Sequence, residues 1–184
     1  MKPARYHHGN LPAALIDAAI NMIEARGVKS LTLRAVAERV GVSHTAPYRH
    51  FSDKSELLAA VAYEGYERLT HRLRLARHGA PSAREALSRM AAGYVDFARE
   101  HPDQFRLMVT ATDERAATSA QQLSNTIHAC LLQVGRIGES DNATQVWSHW
   151  HGVASLMLAG IVSVADAKQQ AEHAIVRAIA MMPG

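Results

Sequence analysis

Eight consecutive residues, Ser43-His44-Thr45-Ala46-Pro47-Tyr48-Arg49-His50, carry two hydroxyls, two imidazoles, a phenol and a guanidinium. Groups of these kinds donate to phosphate oxygens and to base edges, and a small residue among them, Ala46, touches a thymine methyl or lets the backbone approach. Pro47 and, just beyond, Phe51 suit packing better than contact. Two cations extend the set. Arg34 is a candidate for phosphate or base contact. Lys54 follows a capping residue, Asp53, so its charge opposes the dipole of the helix it opens, at a cost of a few tenths of a kcal/mol. A phosphate at that helix N-terminus offsets the cost; a solvated surface lysine is the plainer alternative.

These side chains need elements to hold them. Thr32 caps a helix with Leu33, Val36, Ala37 and Val40 on one face, and Gly41 stops it. Gly41-Val42-Ser43 then allows a sharp turn, because glycine takes a positive φ without strain. Ser43 is expected to cap a third, short helix carrying His44 to His50. Two short helices around such a turn form a helix-turn-helix, whose second helix lies in the major groove. Before it, Asn10 caps a first helix with Pro12 in its opening turn, and Gly27 ends it. After it, Asp53 and Glu56 form a variant capping box for a long helix that stops near Gly79-Ala80-Pro81, and Ser82 and Glu85 form a second. His101-Pro102 breaks the chain again. A short helix through Phe105 and Met108 follows, then helices over about 113–133, 142–164 and 166–181. The reading is all-α, about nine helices and no strand, with a three-helix head over residues 1–54 and a helical ligand-binding and dimerisation domain over 55–184.

Charge agrees with that division. Residues 1–54 hold eight Lys and Arg against four Asp and Glu, whereas residues 55–184 hold twelve against thirteen. A basic head on a near-neutral body fits a nucleic-acid partner, although uneven charge alone is common in small proteins. One cysteine, Cys130, excludes an intrachain disulfide and suits a reducing cytoplasm. The N-terminal MKPARYHHGN lacks the apolar stretch of a signal peptide, and the most apolar window, residues 152–165, is too short to span a bilayer. A cytoplasmic protein without membrane contact is expected.

A second group lies in the larger domain. Trp147 and His151 are four apart on one helix face. With Tyr94, Phe97, Phe105 and Met108 they could line a pocket for an apolar or aromatic molecule. A satisfied core histidine stacked on a tryptophan accounts for the same pair. Metal chemistry finds little support: His7-His8 are adjacent, His149 and His151 point to different faces, and no Cys or carboxylate completes a tetrahedral set. No Glu-x-x-His pair, activated nucleophile or Gly-rich phosphate loop is present, so neither an enzyme nor a cofactor is expected.

The run Ser43 to Phe51 with Asp53-Lys54, preceded by Gly41-Val42-Ser43 and Leu31-Thr32-Leu33-Arg34-Ala35-Val36-Ala37, resembles the TetR-family signature over about residues 10–60. Tyr6-His7-His8-Gly9-Asn10-Leu11 and Trp150-His151-Gly152-Val153-Ala154-Ser155-Leu156 resemble the TetR subgroup named for its Trp-His-Gly motif. The resemblance implies DNA contact through Arg34, Ser43, His44, Thr45, Ala46, Tyr48, Arg49, His50 and Lys54. It implies a near-palindromic double-stranded operator and repression relieved by a small effector. It also implies a homodimer through the last two helices, where an alanine stripe (Ala171, Ala174, Ile175, Ala178, Ile179) and Gly152, Ala159 and Gly160 permit close approach. The Tyr6-His7-His8 arm could lie along the DNA backbone or minor groove, or be a disordered tail. The alternative function is a helical protein-binding adaptor, which salt would distinguish: phosphate contacts weaken steeply as salt rises.

Overall fold

The computed structural model describes residues 10–110, 114–134 and 141–180. Among them are eight α-helices: α1 (Leu11–Arg26), α2 (Leu33–Val40), α3 (Lys54–Arg77), α4 (Ala83–Glu100), α5 (Pro102–Thr110), α6 (Glu114–Leu131), α7 (Asp141–Leu158) and α8 (Val164–Ala180). They form two compact units. The first takes described residues 10–65, 103–110 and 114–116; the second takes 66–102, 117–134 and 141–180.

In the first unit, polar side chains begin the helices. Asn10 Oδ1 accepts from Ala13 N–H at 3.4 Å, and Thr32 Oγ1 from Ala35 N–H at 3.1 Å. Asp53 Oδ1 accepts from Glu56 N–H at 2.9 Å, while the Glu56 carboxylate accepts from Ser52 N–H at 2.7 Å. That reciprocal pair satisfies two donors that the helix itself cannot, and the Ser52 hydrogen bond holds the Glu56 carboxyl below its ordinary pKa. Each cap contributes about 1 kcal/mol. The core contributes more: Leu15, Ile23, Leu31, Val36, Leu57 and Val61 are fully buried in one cluster, at about 1.5–3 kcal/mol each.

α5 joins this unit through contacts far apart in sequence. Pro102 opens the helix without an N–H, and the next two donors, Asp103 and Gln104, reach the Glu24 carboxylate of α1 at 3.3 and 3.0 Å. Gln104 Nε2 donates to Val61 O of α3 at 3.0 Å. The helices touch closely, because a Cβ on Gly65 would stand 2.8 Å from Met108 Sδ.

The expected third helix is a correction. Residues 47–49 form a single 3-10 turn, and the contact from Ser43 is Oγ to Thr45 Oγ1 at 3.2 Å, not a side-chain cap. Proline accounts for it. Pro47 has no N–H to give the Ser43 carbonyl, so Ala46 N–H takes that carbonyl at 3.0 Å, and Arg49 and His50 continue with i→i−3 bonds. The count therefore falls from nine helices to eight among the described residues.

In the second unit α4, α7 and α8 pack against one another. Trp150, fully buried, donates from Nε1 to Ala171 O at 2.9 Å, which fixes α8 on α7. Ala167, Ala171, Ala174 and Ile175 are buried along α8; the Ala178 and Ile179 side chains lie outside the described residues. Three details differ from expectation. Ser82 caps α4 through Glu85 N–H at 3.1 Å, but the Glu85 carboxylate pairs with Arg89, so the second box is half made. α8 starts two residues earlier than expected, at Val164, capped by Ser163. Gly160 does not lie inside α7: at φ 74° it ends the helix, with Gly160 N–H on Met157 O and Ile161 N–H on Leu156 O.

Gly41 closes α2 in the same way, at φ 83°. A Cβ there would meet nothing within 4 Å, so a substitution meets backbone strain alone. Gly41→Ala is expected to lose about 1–2 kcal/mol, read as a lower urea midpoint with an unchanged slope. An unchanged midpoint would show that the turn relaxes at no cost.

Candidate functional site

The polar run of residues 43–50 is held from below and open above. Pro47 and Phe51 are buried; Ser43, His44, Thr45, Tyr48, Arg49 and His50 are exposed and Ala46 is half-buried. Tyr48 is 57% exposed, a large aromatic surface left in water. The Gly41 turn delivers the chain into the run: Val42 N–H takes Ala37 O at 3.0 Å while Gly41 N–H takes Glu38 O at 3.2 Å. Arg34 is exposed in the first turn of α2.

Lys54 makes a contact that the sequence does not announce. Its ammonium donates to Val28 O at 2.8 Å, part-buried, 26 residues back in the chain. The lysine therefore fastens the start of α3 to the 3-10 turn Val28–Ser30 that follows α1. That bond satisfies a carbonyl beyond the end of α1 and draws the cation off the N-terminus of its own helix. The Tyr6-His7-His8 arm lies outside the described residues.

Of the six residues read as a pocket, three are in direct contact. Tyr94 on α4 is buried, its hydroxyl accepts from Trp147 Nε1 at 3.0 Å, and it shares a hydrogen bond with His151 Nδ1 at 3.1 Å. The other imidazole nitrogen meets Ser155 Oγ at 3.4 Å. Tyr66 stands edge-on to Trp147, with ring centroids 6.5 Å apart. Burial drives the Tyr94 phenol pKa far up, so it stays a neutral donor, and burial lowers that of His151. Phe97 is buried in the same unit with its ring 5.1 Å from that of His101. Phe105 and Met108 are buried in the first unit, on α5. Sequence reading missed Ser155 and Tyr66. Ser155 was recoverable, since it stands one helical turn beyond His151; nothing in the sequence marks Tyr66. Among the described residues, no three His, Cys, Asp or Glu side chains gather as a metal site requires, and no described helix is long and apolar enough to cross a membrane.

Residues 15–61 match the family model described as bacterial regulatory proteins, tetR family. Residues 87–180 match the tetracyclin repressor-like C-terminal domain, over half the chain. Among solved structures, the chain is similar to a Rhodococcus sp. RHA1 protein described as having unknown function, at 29% identity and TM-score 0.82, covering 98% of this chain and 100% of that one. It is also similar in fold to a TetR-family transcriptional regulator from Streptomyces coelicolor (19% identity, TM-score 0.71, 92% and 94% covered). The fatty acid degradation regulator FadR from Bacillus halodurans shares the fold too (13% identity, TM-score 0.73, 92% and 96% covered).

The burial of His151 sets a pH dependence. Its folded pKa lies below the ordinary 6.5, chiefly through desolvation, and that of His149 is lowered by desolvation and then by Arg177. Below about pH 6.5 the unfolded chain therefore takes up protons that the folded chain refuses, and stability falls as pH falls. Urea midpoints are expected to drop between pH 7 and pH 5.5, and less steeply in His151→Gln. Equal slopes in the two proteins would remove His151 from this effect.

Proposed function

Because this chain belongs to the TetR family of DNA-binding transcriptional regulators, we propose that it is a homodimeric repressor released from a near-palindromic operator by a small effector. The observation that carries the DNA contact is the exposed run of Ser43, His44, Thr45, Tyr48, Arg49 and His50 over buried Pro47 and Phe51. A folded domain gains nothing by leaving a tyrosine and two histidines in water on one short turn; a major groove gives them partners. Arg34 and Ala46 join the contacting set. Lys54 joins it too, because an ammonium carries three donors and Val28 takes one. We assign DNA binding to residues 1–54 and effector binding and dimerisation to 55–184, and we place the regulator in the cytoplasm.

We assign the chain to the Trp-His-Gly subgroup on Trp150, His151 and Gly152, which have three separate tasks: Trp150 fixes α8, His151 meets Tyr94, and Gly152 faces outward on α7. The effector site is centred on Tyr94, Trp147 and His151, with Phe97 of the same unit as the apolar contributor. The dimer forms through α7 and α8. Gly152 is exposed on α7 with Leu156 41% exposed, Ala159 is exposed just past its end, and Val176 is 38% exposed on α8. A Cβ at Gly152 would meet nothing within 4 Å in the single chain.

Selection from random duplex DNA at low and moderate salt tests the repressor reading. The expected result is an enriched near-palindrome spanning about one to two helical turns, with affinity falling steeply as salt rises. His44→Ala or Arg49→Ala is expected to change the enriched sequence. No enrichment at either salt would sink the reading and favour a protein-only adaptor. The dimer has its own test. Gly152→Leu fits the isolated helix and improves its propensity by up to about 1 kcal/mol, yet is expected to yield monomers in sedimentation. A dimer of unchanged affinity would move the interface elsewhere.

A further inference from the structure

We infer that a cleft between the last turn of α3 and the second half of α6 binds a small organic anion through a phosphate or carboxylate group. The cleft has a volume of about 300 Å³ and is lined by Arg74, Arg77, Gln122, Asn125, Thr126 and Ala129, all in the second unit. It shares no residue with the Tyr94–His151 site.

The dipole of α3 favours cations in its last turn, which accounts for Arg74 and Arg77 being basic. It does not account for what faces them. Three other cations of this unit meet carboxylates: Arg72 on Glu100 at 2.7 Å, Arg89 on Glu85 at 3.1 Å, Lys168 on Asp96 at 2.8 Å. Among the described residues no carboxylate pairs with Arg74 or Arg77 or lines the cleft. α6 turns amides and a hydroxyl toward them instead. The polarity of those groups is partly set. Asn125 Oδ1 accepts from Gln121 Nε2 at 3.0 Å, which leaves the Asn125 NH₂ as the donating end. Thr126 spends its hydroxyl proton on Gln122 O at 2.9 Å and is almost fully buried, so it closes the floor without adding charge.

Two guanidinium groups one helical turn apart present several N–H donors in rigid forks, and an amide NH₂ adds more from the facing helix. Donors without acidic neighbours select an oxyanion, and guanidinium geometry matches phosphate or carboxylate bidentately. The volume admits a small metabolite rather than a peptide. The inference needs no DNA and stands or falls separately from the repressor reading.

The test is thermal unfolding of the full chain at constant ionic strength, with sodium phosphate or sodium citrate replacing chloride. A saturable rise in Tm is expected with at least one of them, and which one identifies the headgroup. Arg74→Met with Arg77→Met keeps the aliphatic stems, and Asn125→Asp keeps the acceptor that Gln121 uses while placing a negative charge in the cleft. Both are expected to weaken the anion about tenfold or more. Arg89→Met, which breaks a surface pair outside the cleft, is expected to leave the response unchanged. No saturable rise in the unsubstituted protein overturns the inference, and so does an undiminished rise in either cleft variant. Should the double arginine variant fail to fold, Asn125→Asp decides alone.

Discussion

A stretch of chain that must present six polar side chains to water cannot hold its own shape, and this is the constraint on which the first unit depends. Residues 43–50 have no regular helix to fix them: the hydrogen bonds are single i→i−3 turns imposed by Pro47. Their positions come from what surrounds them. Upstream, Gly41 in the left-handed region aims the chain. Below, Pro47 and Phe51 are buried. Downstream, α3 starts on an Asp53 cap and is fastened by Lys54 to Val28. The run is thus held by apolar anchors beneath it and by short turn bonds along it.

The same logic extends to α5. A nine-residue helix is too short to be stable on propensity, and its N-terminal donors would be costly if left unmet. Glu24 supplies the missing acceptor from α1, and a carboxylate at a helix N-terminus also gains from the dipole. Gln104 and the Gly65–Met108 contact then hold α5 on α3. α5 thus belongs with the helix-turn-helix rather than with the helices adjacent to it in sequence. The 24-residue α3 gives residues to both compact units. The head's first helix, its turn and the beginning of α3 share one hydrophobic cluster.

Much of this was legible in the sequence, for reasons that differ by element. Caps and terminators are local chemistry, so Asn10, Thr32, Asp53 with Glu56, Ser82, Gly27 and Gly41 could each be read from a few residues. The helix-turn-helix was legible because its spacings are joint constraints. What failed was also local in one case: Pro47 packs as expected, buried, but its missing N–H also breaks the helix expected around it. The rest failed because it is non-local. Nothing near Glu24 announces that it caps a helix some eighty residues on, and nothing near Lys54 announces the Val28 carbonyl. The aromatic set was read as one pocket, and pattern could not tell which members meet. Tyr94, Trp147 and His151 are joined by hydrogen bonds.

The hydrogen-bonded trio also limits how an effector could act at that site. Tyr94 is fully committed, accepting from Trp147 and bonded to His151 in a buried setting where an unmet phenol costs about 1–3 kcal/mol. A ligand that displaced Tyr94 would have to replace both partners at once. His151 is the softer member: half-buried, with a long 3.4 Å contact to an exposed Ser155 on its outer nitrogen. Turning its ring gives up both the Ser155 contact and the Tyr94 hydrogen bond, and leaves the Trp147–Tyr94 bond in place. A ligand shifts a conformational equilibrium only by its differential affinity for the two states. A ligand that turned His151 would have to replace the Tyr94 hydrogen bond as well as the Ser155 contact.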